Sequence, residues 1–192
     1  VLSIGATFAS DGTDIYVMRG YGDSLFWKYS PTTDTWTTLA DLPGSAYYGA
    51  DIVYLDGYIY GFLGGTQNAF VRYSIENNTW ETLPALAELV YQGGSVTTDG
   101  TNIYATPGNS AQSFYKYTVA SGTWGTLAGA PNTLRGGTDL AYYNGIIYTP
   151  RGQGTNTFYS YSISTNTWST LTNLPGTLGD DVDITSVNGH VY

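Results

Sequence analysis

The chain has 192 residues, with 25 Gly, 19 Tyr, 5 Trp and a hydrophobic fraction of 42%, so a packed core is within reach and wholesale disorder is not expected. Six basic against 15 acidic residues give a net charge of −9, which repels a phosphate backbone and argues against a nucleic-acid partner. With no Cys and one His, disulfides, thiolate metal sites and cysteine nucleophiles are excluded and a Ser-His-Asp triad is hard to build; no apolar run approaches the roughly 18 residues of a membrane span.

Taken in chain order, the sequence repeats every 44 residues. The units run approximately 1–44, 45–88, 89–132 and 133–176, and 177–192 begin a fifth in the same register. Tyr16, Tyr60, Tyr104, Tyr148 and Tyr192 form one column. Gly20, Gly64, Gly108 and Gly152 form the next, followed by Phe26, Phe70, Phe114 and Phe158. Tyr29, Tyr73, Tyr117 and Tyr161 each stand seven residues before Trp36, Trp80, Trp124 and Trp168.

Each unit reads as four short strands. In the second, the alternation over Gly49 to Tyr54 predicts an innermost strand. Asp56-Gly57 is a hairpin turn, with counterparts at Asp11-Gly12, Asp99-Gly100, Asn144-Gly145 and Asn188-Gly189. Tyr58 to Phe62, Phe70 to Ile75 and Thr79 to Leu83 follow as strands two to four. No stretch carries a helical stripe, so almost no helix is expected. A 44-residue unit of four antiparallel strands is a propeller blade, and its aromatic columns must pack against the next blade.

These residues resemble kelch repeats. That pattern has a glycine doublet, a Tyr and a Trp separated by six residues, and an apolar-Pro exit. Here the exits are Leu42-Pro43, Ala130-Pro131 and Leu174-Pro175, with Leu86-Ala87 departing. The doublet survives as Gly64-Gly65 and is Gly20-Tyr21, Gly108-Asn109 and Gly152-Gln153 elsewhere. The resemblance implies an all-β, kelch-like propeller of four blades plus part of a fifth. Residues 1–16 and 177–192 occupy the same register, so the reading is either an arc of a longer propeller or arcs that self-assemble.

The resemblance also implies a binding face built from the loops between strands two and three and from the loops between blades. The lead-in to the innermost strand reads Ser3, Tyr47, Tyr91, Arg135, Gly179, and kelch propellers draw peptide-binding Arg and Tyr from that column. Tyr47, Tyr91 and Arg135 are therefore the sharpest candidates. Arg19, Arg151, Gln67, Gln112 and Asn156 complete the surface. Asp51, Asp139 and Asp183, with Thr7 and Ser95, form a polar column on the innermost strand that could hold Ca²⁺ through oxygen ligands. Hydrogen bonding to neighbouring strands is its plainer use, and no cofactor is expected. His190 reads as an edge residue, and Asn77-Asn78-Thr79 matches the glycosylation sequon.

The expected function is a non-catalytic module recognising protein or glycan, acidic, secreted or at a cell surface, within a larger extracellular protein. A structural or adhesive component is the alternative. A copper enzyme of the galactose-oxidase type is excluded, since it needs a Cys–Tyr crosslink and paired His. A carboxylate glycosidase would have to be built from Asp180, Asp181 and Asp183, none of which stands out as the acid.

Overall fold

The computed structural model describes all residues except 1, 3, 181, 188 and 189. Ser3, Asp181 and the Asn188-Gly189 turn therefore lie outside the described residues. No helix occurs among the described residues. The chain forms two compact units, Val1–Tyr91 and Gln92–Tyr192.

The first unit holds two blades. One is β1 (Thr7–Ser10), β2 (Ile15–Met18), β3 (Phe26–Ser30) and β4 (Thr35–Thr38); the other is β5 (Asp51–Leu55), β6 (Tyr58–Phe62), β7 (Phe70–Ser74) and β8 (Thr79–Leu83). The second unit also holds two. They are β9 (Ser95–Thr98), β10 (Ile103–Thr106), β11 (Tyr115–Thr118) and β12 (Thr123–Thr126), then β13 (Ala141–Tyr143), β14 (Ile146–Pro150), β15 (Phe158–Ser162) and β16 (Thr167–Thr170). A hairpin of β17 (Ser186–Val187) and β18 (His190–Val191) follows. Each four-stranded sheet is an antiparallel meander in sequence order.

The six-residue spacing of Tyr and Trp has a geometric cause. A four-residue turn closes the last hairpin of each blade, so Tyr29 lies opposite Trp36, Tyr73 opposite Trp80, Tyr117 opposite Trp124 and Tyr161 opposite Trp168. The last turn residue is left-handed in every blade: Asp34 (φ 52°), Asn78 (52°), Gly122 (66°) and Asn166 (54°). Asn, Asp and Gly tolerate that conformation best.

Blades alternate in type. In the second and fourth, the first hairpin is a two-residue turn with both central residues left-handed, Asp56-Gly57 and Asn144-Gly145, the twist-matched form. In the first and third, a four-residue loop replaces it. Asp11 Oδ1 accepts the N–H groups of Thr13 and Asp14 at 2.8 and 2.7 Å, and Asp99 does the same for Thr101 and Asn102. Their other oxygens accept Tyr16 Oη–H at 3.0 Å and Tyr104 Oη–H at 2.9 Å. Burial, reinforced by these carboxylates, pushes both phenols far above their ordinary range. Burial raises the Asp99 carboxyl, but the donated hydrogen bonds outweigh it and leave its pKa lowered.

Successive blades within a unit are joined by one recurring lock. Trp80 packs edge-on to Phe26 of the preceding blade, ring centres 4.9 Å apart, and its Nε1–H donates to Ala40 O at 3.0 Å. Ala40 N–H donates back to Asn78 Oδ1 at 2.9 Å, which also accepts Tyr73 Oη–H at 2.8 Å. The second unit repeats the arrangement with Trp168, Phe114, Ala128, Asn166 and Tyr161. The inner strands add a second tie. Thr7 Oγ1–H donates to Asp51 Oδ1 at 2.9 Å, and Ser95 Oγ–H to Asp139 Oδ1 at 2.6 Å.

Candidate loop-end site

The loops between strands two and three and the loops between blades meet at one end of each blade. In the first unit, Asp23 bridges Ala46 and Gln67 bridges Val90. In the second, Leu134 N–H donates to Ala111 O and Leu178 N–H to Thr155 O, both at 2.8 to 2.9 Å. The two loop sets named by sequence therefore form one surface on each unit.

The lead-in residues are held there by glycines of the preceding blade. Gly49 is left-handed (φ 79°), and a Cβ on it would stand 2.1 Å from Tyr91 O. Gly5 faces Tyr47 O in the same way, and Gly93 faces Arg135 O. With the carbonyl pinned, the side chain of the lead-in residue is left to the loop end.

On the first unit this end is aromatic. Tyr47 and Tyr48 meet edge-on with ring centres 4.7 Å apart, and Tyr48 and Tyr91 lie 5.6 Å apart. Tyr47 is 36% exposed, while Tyr48 and Tyr91 are half-buried. Tyr21 is 65% exposed and left-handed (φ 62°), with its N–H tied to Ile4 O at 2.8 Å. A bulky residue in that conformation is strained, and such strain concentrates at functional positions. Gln67 stands exposed beside this group, its Nε2 reaching Ser45 O at 3.5 Å. Tyr21 and Tyr48 were not singled out from sequence. The usable signal for Tyr21 was a non-glycine in the second doublet position; Tyr48 had none, since its column holds Ile4, Gln92, Gly136 and Asp180.

On the second unit, Arg135 is exposed, with its backbone N–H donating to Arg151 O and Thr138 Oγ1, both at 3.1 Å. Several other candidates are engaged in the framework. Arg151 Nε–H donates to Thr133 O at 3.3 Å and Gln112 Nε2–H to Ala130 O at 2.9 Å, each bracing the following loop. Arg19 pairs with Asp23. Asn156 is half-buried, and its carbonyl accepts Leu174 N–H at 2.8 Å.

The carboxylate column is taken up by blade-to-blade bonding. Asp51 Oδ1 accepts from Thr7 and from Ile52 N–H, while Asp139 accepts from Ser95, Leu140 N–H and Ile184 N–H. Asp139 also precedes its strand, which starts at Ala141, and Asp183 is exposed outside any strand. Among the described residues no three acidic or His side chains gather to hold a metal ion. For Asp51 and Asp139 these contacts are the hydrogen bonding named above as the plainer use of the column. His190 is exposed, its ring 6.0 Å from that of Tyr192.

Residues 4–43 match the family model of the Kelch motif. The first repeat thus carries a kelch motif. Among solved structures, that of YjhT superposes with a TM-score of 0.78 at 16% identity, covering 93% of this chain and 68% of that one. At that identity the likeness establishes the all-β, kelch-type propeller fold and nothing finer. No curated protein matches the sequence significantly. The kelch match falls on the first repeat, although the glycine doublet belongs to the second. With 870 solved chains sharing the fold, function has to be argued from the loop end rather than from the architecture.

Proposed function

We propose that this kelch chain is a non-catalytic recognition module that takes a protein or glycan partner at its loop end. One observation carries the reading: the run of Tyr47, Tyr48 and Tyr91, with the strained and exposed Tyr21 beside it. Tyrosines supply flat apolar area with a polar tip and few rotatable bonds, the chemistry suited to stacking on a sugar ring or anchoring a peptide. Gln67 on the first unit and Arg135 on the second add polar groups at the same end of their blades. The low charged fraction and the Gly, Tyr and Thr richness support a secreted or cell-surface setting.

The test is a binding screen of the chain against oligosaccharide and peptide panels, followed by titration of the best ligand. Tyr47→Ala and Tyr91→Ala should each weaken binding at least tenfold, as truncation of an aromatic anchor does. Unchanged affinity in both variants refutes the site. Turnover of an oligosaccharide that is abolished by Asp180→Asn or Asp183→Asn refutes the non-catalytic reading.

A further inference from the structure

The loop end of the first unit has its backbone groups spent on one another. Tyr21 N–H donates to Ile4 O, Gly22 N–H to Ala46 O and Gly65 N–H to Tyr48 O, each at 2.8 Å. Ala46 N–H donates to Asp23 O and Val90 N–H to Gln67 O, both at 2.9 Å, and Thr66 N–H donates to Val90 O at 3.0 Å. A peptide that binds by adding a strand needs a row of open N–H and C=O groups, so a partner at this end has to be held by side chains. The cations are engaged as well. Within residues 1–91, Arg19 pairs with Asp23, Lys28 with Asp14 and Arg72 with Glu81. The net charge of −9 adds a field that repels anions. Both features disfavour a ligand carrying carboxylate, sulfate or phosphate groups.

What this end offers instead is an aromatic ring with a carboxamide beside it. Gly65 is left-handed (φ 65°), and a Cβ on it would stand 3.1 Å from Tyr47 Cβ and 3.7 Å from Gln67 Nε2. The bare glycine thus lets the two side chains flank one spot. The Tyr47 ring also runs past Gly22, where a Cβ would lie 3.8 Å from Cδ2, and Tyr48 braces it edge-on with the rings at 88°. Gln67 differs from its neighbour in what it is used for. Asn68 Nδ2–H donates to Leu86 O at 2.9 Å and braces the following loop. Gln67 Nε2 reaches Ser45 O only at 3.5 Å, past the usual N–H···O range. Its carboxamide keeps the capacity both to donate and to accept.

We propose, on the strength of the recognition reading above, that the ligand of this loop end is a neutral glycan, with Tyr47 as the platform for one sugar ring and Gln67 as the residue that selects among sugars. A pyranose carries C–H groups on its faces and hydroxyls around its rim. The C–H face lies on the Tyr47 ring, which removes apolar area from water. The Gln67 carboxamide donates Nε2–H to one hydroxyl and accepts from the adjacent one through Oε1, a planar pair that matches vicinal hydroxyls. Only the long contact to Ser45 O is given up. A sugar with one of these hydroxyls inverted leaves half of the carboxamide unpaired, so Gln67 sets the preference between epimers.

The test is an array of neutral hexasaccharides of glucose, mannose, galactose and xylose, of uronic-acid hexasaccharides and of random peptides, probed with the 192-residue chain. Calorimetric titration then measures the best binder and its epimers. A neutral hexasaccharide should bind best. Tyr47→Ala should weaken it about tenfold or more, and Tyr47→Phe, which keeps the ring, should recover most of that loss. Gln67→Ala should weaken the preferred sugar about fivefold and leave its epimers unchanged, so the preference between them shrinks. Both side chains are exposed, so these variants keep the fold, and thermal unfolding verifies it. Peptides or uronic-acid oligomers that bind best through Tyr47 would overturn the neutral glycan and leave recognition at the loop end standing. No binding anywhere on the array would overturn both. Neutral-glycan binding indifferent to Tyr47→Ala, or an epimer preference unmoved by Gln67→Ala, would overturn the assigned roles.

Discussion

Trp36 and Trp80 occupy the same repeat column, in the same four-residue context of a closing hairpin, yet they live in different environments. Trp80 is half-buried, packed edge-on against Phe26 and hydrogen-bonded to Ala40 O; Trp36 is 58% exposed and touches rings of its own blade, Trp27 and Tyr29. The difference teaches that a blade's outer hairpin folds by itself, since Tyr and Trp face each other across it in both cases, while the value of the Trp comes from the blade before it. The turn residue shows the same division. Asn78 serves its own blade through its left-handed backbone and the Tyr73 hydroxyl, and serves the preceding blade through Ala40 N–H. Asp34 does only the first of these within the first unit.

The sharpest way to break this comparison is to truncate both Trp residues and measure unfolding in dilute solution. Trp80→Ala should cost about 3 kcal/mol, the lower end for losing a large aromatic, because its ring is not fully buried. Trp36→Ala should cost under about 0.5 kcal/mol, as for an exposed position. Equal losses would show that the Trp stabilises its own hairpin rather than the joint. The next effect is smaller. Asn78→Gly keeps the left-handed backbone but removes both hydrogen bonds, and should cost about 2 kcal/mol by chemical denaturation. Asp34→Gly removes a single surface bond and should cost clearly less.

The smallest effects are in the pH profile. Tyr16, Tyr73, Tyr104 and Tyr161 all have raised pKa values, with burial the leading cause. Their contribution is complete below the unfolded value of 10.0 and is lost as pH rises above it, because the unfolded chain ionises first. The lowered carboxyl of Asp99 works in the opposite direction. Its contribution is present above 3.8 and is lost as pH falls below that value. Stability followed by circular dichroism should therefore form a plateau between these limits. Asp99→Asn should flatten its acid side and shrink the alkaline loss carried by Tyr104, whose onset stays set by the unfolded phenol. An alkaline onset well below pH 10 would contradict the burial of these phenols.

Much of the fold was readable because the repeat is strict. Turn chemistry at Asp56-Gly57 and Asn144-Gly145, and the opposed Tyr and Trp columns, follow from local preferences that act within a few residues. The alternation of blade types is hidden in the sequence, since Asp11-Gly12 and Asp56-Gly57 are the same dipeptide. What separates them is where the strands pair: Ser10 opposite Ile15 in the first blade, Leu55 opposite Tyr58 in the second. The loop-end surface was legible as a set of loops, because the lead-in column varies within an otherwise regular repeat. Its chemistry was less so. Gln112, Arg151 and Arg19 have the composition of recognition residues but brace loops or pair with Asp23, and sequence does not say which donor finds a carbonyl first.

By itself the sequence determined the 44-residue blade, its four strands, its left-handed turn residues and the aromatic columns that need a neighbour. These depend on side-chain alternation and backbone preferences, which are properties of short segments. Only the tertiary structure decided which of the identical columns are covered, that Asp51 and Asp139 each accept a hydroxyl of the preceding blade, and that Tyr47, Tyr48 and Tyr91 come together at one end. Those outcomes depend on which donor, ring or carbonyl of another blade arrives within bonding distance, and residues 40 or more positions apart meet only once the blades have packed.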